Sequence, residues 1–185
     1  MQVTRPSSER RAMDQYDGFR EFFETRRRPL SRTAFLLTGD HAAAEDLLQE
    51  ALARTVRRWK HVSAGGNPEG YVRQVMLNEV RSRWRRRRRV VELVTATPAD
   101  SPGGRDLASD AVQKSVLAAA LRQLAAGQRA VLYLRFYEDL SEAETARLLG
   151  CTVGTVKSQT HDALARLRVF APELVPGTKT AEVPE

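Results

Sequence analysis

The sequence predicts an all-α chain: two small helical domains joined by a flexible linker, the second holding a helix-turn-helix. Three observations lead there. Apolar residues recur at helical spacing along most of the 185 residues, and no stretch alternates apolar and polar long enough for a strand. Residues 95–109 are rich in Pro, Gly, Ser and Asp and nearly lack large apolar groups. Ser141, Gly150 and Thr152 stand where two short helices and a tight turn need them. The expected boundaries are 12–90 for the first domain, 91–109 for the linker, 110–170 for the second domain and 171–185 for a loose tail.

Residues 12–37 carry Phe19, Phe22, Phe23, Leu30, Phe35 and Leu36 on one face. Pro29 interrupts them, which predicts two helices or one kinked helix. Gly39 ends this stretch and Asp40 can cap the next. Ala44, Leu47, Leu48, Ala51, Leu52, Val56 and Trp59 then mark an amphipathic helix over 41–60. Ser63 to Pro68 reads as a loop, with Pro68 suited to the first turn of a further helix. That helix shows Tyr71, Val72, Val75, Met76 and Val80, and runs into the arginines at 81–89. Beyond the linker, four short helices are expected near 110–124, 127–137, 141–149 and 153–169. The tail from Ala171 has little to bury.

Net charge is +7 and the isoelectric point about 10.2, which favours a polyanionic partner. The excess is local. Up to Thr95 the chain holds 20 Lys+Arg against 12 Asp+Glu, a net +8; beyond it, 10 against 11 leave −1. A DNA-binding second domain would therefore act through a local face. Five consecutive arginines, Arg85 to Arg89, cannot all face one way on a helix. They read equally as phosphate contacts, which would make binding salt-sensitive, or as a solvated run before the linker. The single cysteine, Cys151, allows no intramolecular disulfide and reads as a small buried residue. His41, His61 and His161 show no metal-ligand spacing. No apolar run suffices for a membrane span and residues 1–11 do not form a secretory signal, so the expected location is the cytoplasm.

The most specific local signal runs from Leu140 to Leu167. Ser141 with Glu144 makes a capping box, Ala146 permits a close helix crossing, and Gly150 suits the turn. Thr152 can cap a second helix. Val153, Val156, Thr160, Ala163, Leu164 and Leu167 would be buried on it, and Thr155, Lys157, Ser158, His161, Asp162 and Arg166 exposed. Short polar side chains on the first turns of such a helix can reach base edges in the major groove. An ordinary helical hairpin would show the same small-residue, glycine and valine pattern.

Arg129 to Gln159 resembles region four of the extracytoplasmic-function (group IV) sigma factors, of an actinobacterial type. Leu37-Thr-Gly-Asp40 with Ala44-Glu-Asp-Leu-Leu-Gln-Glu-Ala51 resembles their region two, and Pro68 to Arg73, Asn78 and the arginine run continue the match. The resemblance covers roughly residues 15–170. It implies an alternative sigma factor: a non-enzymatic subunit that binds core RNA polymerase and promoter DNA, with no cofactor and no small-molecule substrate. It implies that Glu45, Asp46, Gln49 and Glu50 dock on the β′ clamp helices, and that region four meets the β flap. It assigns Asn67, Tyr71, Asn78, Arg81, Trp84 and Arg85 to the minus-ten element, and Thr152, Thr155, Lys157, Ser158 and His161 to the minus-thirty-five element. Trp59 continues an apolar stripe and reads as core. An anti-sigma protein is a further partner the resemblance allows.

Two positions depart from the family. His161 and Asp162 stand where serine and arginine are frequent, and a carboxylate there repels phosphate unless it accepts from a cytosine amine or pairs with an arginine. Gly127 stands where proline is frequent. Two other readings compete. A stand-alone helix-turn-helix regulator would bind duplex as a dimer, and leaves the acidic helix at 44–51 without a role. An enzyme would need a nucleophile–base pair, a phosphate loop or a metal cluster, none of which the sequence offers. Binding RNA would fit the charge but not the bipartite pattern.

Overall fold

Gly18 and Gly39, both in the left-handed region, bracket the first helix of the computed structural model, which describes residues 16–93 and 111–174. The helices are α1 (Phe19–Thr38), α2 (His41–Val56), α3 (Trp59–Ala64), α4 (Pro68–Leu93), α5 (Ala111–Arg122), α6 (Ala126–Leu132), α7 (Glu142–Leu149) and α8 (Val153–Phe170). A wide π turn, Tyr133–Tyr137, extends α6, and a 3-10 turn, Pro172–Leu174, follows α8. No strand occurs among the described residues.

Helix α1 runs through Pro29 without interruption. Proline removes one helix hydrogen bond, and the buried Leu30, Thr33, Ala34 and Leu37 just beyond it hold the chain in line. The Gly39 N–H (φ +73°) donates to the Phe35 carbonyl at 2.7 Å, and Asp40 accepts from the Ala43 N–H at 2.9 Å. The expected stop and restart is therefore present. The helix expected over 41–60 is divided: α2 ends at Val56 and Trp59 begins α3. Trp59 is buried, packs edge-on against Phe19 at 5.1 Å and donates its Nε1–H to the Asp17 carbonyl at 2.6 Å. That anchor needs a change of direction which one straight helix could not supply. Ser63 and Ala64 are helical, so the loop before Pro68 shrinks to residues 65–67.

Helix α4 starts at Pro68, with the Asn67 side chain accepting from the Gly70 N–H at 2.9 Å. It buries Val72, Met76, Leu77 and Val80; Tyr71 and Val75 are only half-buried. In the second lobe the tail expected from Ala171 begins folded. Ala171 is fully buried and its N–H donates to the Leu167 carbonyl at 2.8 Å. The linker from residue 94 and the tail beyond 174 lie outside the described residues.

The core is not divided at the linker. One apolar cluster joins Leu30, Leu37, Leu47, Val72 and Met76 of the first lobe to Val131, Leu134, Leu149 and Val156 of the second. A smaller cluster around Leu121, Leu124 and Ala163 also touches Phe35 and Leu36 of α1. Thus α1 and α4 form the floor on which α6, the π turn and α7 rest.

Candidate nucleic-acid interface

The helix-turn-helix is built as its residues dictate. Ser141 accepts from the Glu144 N–H at 3.2 Å, and the Glu144 carboxylate returns to the Ser141 N–H at 2.9 Å. The Ser141 hydroxyl and N–H hold the Glu144 carboxyl below its ordinary value. Ala146 and Leu149 are buried, Gly150 turns the chain at φ +63°, and Thr152 accepts from the Thr155 N–H at 3.1 Å. Cys151 is half-buried against the core, in keeping with a small packing residue.

Helix α8 buries Val156 and Ala163, with Thr160, Leu164 and Leu167 half-buried beside them. Val153, expected in the core, is 39% exposed. It occupies the first helical position of α8. Lys157, Ser158, His161 and Asp162 are exposed on the outer face, while Thr155 is half-buried and Thr152 exposed. The structure therefore brings the five expected upstream-element residues onto one end and one side of α8. Lys157 and Arg166 of this helix also have partners on other elements. Lys157 lies 3.7 Å from Glu142 of α7. Arg166 donates to the Gln123 carbonyl at 3.0 Å, tying α8 to the end of α5.

On α2, Glu45, Asp46, Gln49 and Glu50 form an exposed face opposite buried Ala44, Leu47, Leu48 and Ala51. Gln49 donates to Glu45 at 3.3 Å. Glu50 pairs with Arg54 at 2.7 Å, and Arg54 reaches Glu79 on α4 at 3.2 Å. Glu79 also draws in Arg83 and Arg86 at 3.2 and 3.4 Å. This one carboxylate thus organises three of the arginines near the basic run, an arrangement that the i, i+4 spacing of Glu79 and Arg83 foreshadows.

The six expected minus-ten residues are not all on one open surface. Asn67, Asn78 and Arg85 are exposed and Tyr71 is half-buried. Asn67 is also the cap of α4. Arg81 and Trp84 are half-buried and face the second lobe. Arg81 donates to the Leu148 carbonyl at 3.2 Å, and Trp84 lies against Gly127. A Cβ at Gly127 would sit 3.1 Å from the indole.

Two groups that sequence reasoning did not single out join the lobes. Arg129 donates to the Leu37 carbonyl at 3.2 Å and to the Leu121 and Leu124 carbonyls at 2.9 and 2.6 Å, closing the ends of α1 and α5 together. Arg73 of α4 holds Glu69 at 2.6 Å and Glu138, beyond the π turn, at 3.0 Å. Tyr133 donates its hydroxyl to Glu138 and lies 3.3 Å from the Thr33 hydroxyl. Burial, reinforced by Glu138, pushes the Tyr133 phenol well above its ordinary value. Sequence spacing carries no signal for the contacts that cross between the lobes, Arg73–Glu138, Arg129–Leu37 and Tyr133–Thr33, whose partners lie 65 to 100 residues apart. No group of side chains suited to a metal occurs among the described residues, and no described helix is long and apolar enough to cross a membrane.

Comparison with known proteins agrees with this architecture. Residues 22–90 match the family described as Sigma-70 region 2, and residues 114–167 match Sigma-70, region 4. The chain is 42% identical to the RNA polymerase sigma-E factor of Streptomyces coelicolor over 150 residues, 81% of this chain and 84% of that protein. It is 35% identical to the ECF RNA polymerase sigma factor SigL of Mycobacterium tuberculosis over 153 residues, 78% of this chain and 84% of that one. Among solved structures, it is similar to the sigma factor RpoE in complex with the anti-sigma factor NepR from Bartonella quintana. The TM-score is 0.55 at 25% identity, covering 85% of this chain and 98% of the other.

Proposed function

Because this chain belongs to the extracytoplasmic-function sigma factors, which bind core RNA polymerase and direct promoter-specific initiation, we propose how its two lobes divide that work. The exposed face of α2, Glu45, Asp46, Gln49 and Glu50, docks on the clamp helices of the β′ subunit. Its fourfold polar surface beside a rigid apolar stripe suits a basic helical partner. The second lobe meets the β flap and lays the first turns of α8 into the major groove of the minus-thirty-five element. There Thr152, Thr155, Lys157, Ser158 and His161 reach bases and phosphates. The first lobe holds the opened minus-ten element with Asn67, Tyr71, Asn78, Arg81, Trp84 and Arg85, by stacking and phosphate contact. The chain performs no chemistry of its own and works where the polymerase is, in the cytoplasm. A partner of the anti-sigma class, like the one held by the solved relative, fits the same pair of lobes.

One observation carries this reading: a single chain presents a solvent-exposed acidic helix face and, in its other lobe, a fully capped helix-turn-helix. A stand-alone regulator accounts for only the second. The test is run-off transcription with bacterial core polymerase on a pool of genomic fragments. Start sites that appear only with this protein support the proposal; specific duplex shifts by the protein alone, with no starts, favour the regulator. Reversing charge at Asp46 and Glu50 should abolish core binding with the helical circular dichroism unchanged. Retained core affinity would remove α2 as the docking face.

A further inference from the structure

Helix α4 carries two lines of residues spaced for different work. Tyr71, Asn78 and Arg85 recur every seven residues, so successive members lie within about 20° of one another around the helix. Asn78 and Arg85 are exposed and Tyr71 is half-buried. Glu79, Arg83 and Arg86 follow at i, i+4 and i+7 and form a second line, turned from the first by about 100° toward α2.

The second line is held by its carboxylate. The Glu79 side chain is only 12% exposed. Its Oε1 accepts from the Arg83 Nε–H at 3.2 Å and from the Arg86 guanidinium at 3.4 Å, and its Oε2 accepts from Arg54 of α2 at 3.2 Å. Arg85, on the first line, makes no ion pair with a described residue.

We propose that Glu79 is a positioning residue for promoter selectivity: it gathers Arg83 and Arg86 against α2 and leaves Arg85 as the cation that accompanies the base-reading line. This rests on the assignment of the minus-ten surface made above. Phosphate is the same in every sequence, so each arginine that meets it strengthens binding indiscriminately. An arginine already paired must give up its carboxylate before it gains a phosphate, and its net gain is small. Glu79 imposes that exchange on Arg83 and Arg86 but not on Arg85. Its low exposure limits screening by salt, and Arg54 keeps the carboxylate on the α2 side. On a promoter, base contacts by Tyr71 and Asn78 fix the roll of α4. On other DNA nothing fixes it, and the helix can turn its most positive side to the backbone. Restraining the second line therefore weakens indiscriminate binding more than promoter binding.

The test uses the full chain as wild type, Glu79→Gln, Arg83→Gln with Arg86→Gln, the triple combination, and Glu24→Gln. Glutamine keeps the size of Glu79 and removes its charge. Glu24, an exposed partner of Arg20 on α1, gives the same change in net charge on another helix. Affinity is titrated against salt for the free chain on a random-sequence fork, and for the holoenzyme on promoters found by run-off and on copies with a scrambled minus-ten element. Glu79→Gln should tighten binding to random and scrambled DNA about three- to tenfold and steepen the slope of log affinity against log salt by about one to two. Promoter affinity should rise less than about twofold, so the preference for promoter falls. Arg83→Gln with Arg86→Gln should change random-sequence affinity less than about twofold while Glu79 is present, and in the triple variant should abolish the gain. Glu24→Gln should leave slope and preference at wild-type values, and unchanged helical circular dichroism shows that no effect reflects unfolding. An unchanged slope in Glu79→Gln, an equal gain from Glu24→Gln, or equal gains on promoter and scrambled DNA would overturn the proposal. If the wild-type holoenzyme yields no starts, the division of work between the lobes fails; if starts appear but Glu79→Gln behaves as wild type, only the role of Glu79 fails.

Discussion

Arg129 meets carbonyls at the ends of two helices that belong to different lobes. Its removal would leave buried acceptors at both ends. Arg129→Ala should destabilise the chain by roughly 1–3 kcal/mol, measured by urea unfolding, more than a surface arginine would. Asp40→Ala removes the cap between α1 and α2 and should cost about 1 kcal/mol in the same assay. The Glu144 cap adds a pH dependence. Its carboxyl is held below the unfolded value, so its contribution is complete above about pH 4.3 and is lost as pH falls through the lower folded value. Glu144→Gln should flatten the acid limb of the thermal midpoint against pH, and an unchanged limb would show that the cap does not titrate there. At this scale the sequence was readable wherever partners are near neighbours. Asp40, Ser141 with Glu144, Gly150 and Thr152 all act within four residues. Arg129, Arg73 and Glu138 were not, because nothing local distinguishes a seam arginine from a surface one.

At the level of elements, α2 and α8 present opposite problems. Helix α2 must keep four polar residues exposed on one side while the other side is sealed into the core. Leu47→Ala, at a fully buried position, should cost about 2–5 kcal/mol and lower core affinity only through stability. Helix α8 must release Lys157 from Glu142 when it meets DNA. Glu142→Gln should raise affinity for minus-thirty-five duplex up to about fivefold, since an exposed pair contributes at most about 1 kcal/mol. A gel shift that shows no gain would mean the pair does not compete. The periodicity of apolar residues located every described helix except α3, which it merged with α2. The break at Arg57 and Arg58 was hidden because Trp59 keeps the spacing of α2 while serving α3. Pro29 suggested a break, but burial of the following turn outweighed one lost hydrogen bond.

For the whole molecule, the two lobes and the helix-turn-helix follow from pattern and composition; their mutual packing does not. The same apolar stripe on α1 serves the first lobe at Leu47 and the second at Val131 and Leu134, and a stripe does not announce how many partners it has. Charge gives a separate expectation. If the arginines of α4 meet phosphate, promoter binding by the holoenzyme should fall steeply between 50 and 200 mM salt, and Arg85→Ala should reduce the slope by about one. A slope unaffected by the change would place Arg85 away from the backbone.

The shared core also bears on how the chain is made. Synthesis delivers the first lobe whole while the residues that cover its floor are still untranslated. At about 5–20 residues per second, the 64 residues from Ala111 to Leu174 take roughly 3 to 13 s to appear. Through that interval the nascent first lobe presents the apolar surface around Leu30, Leu37 and Met76, a ready target for chaperones or for a neighbouring ribosome's product. Pairing of the lobes then comes as a late, long-range event, and by the same logic their separation should be the first step when the protein unfolds.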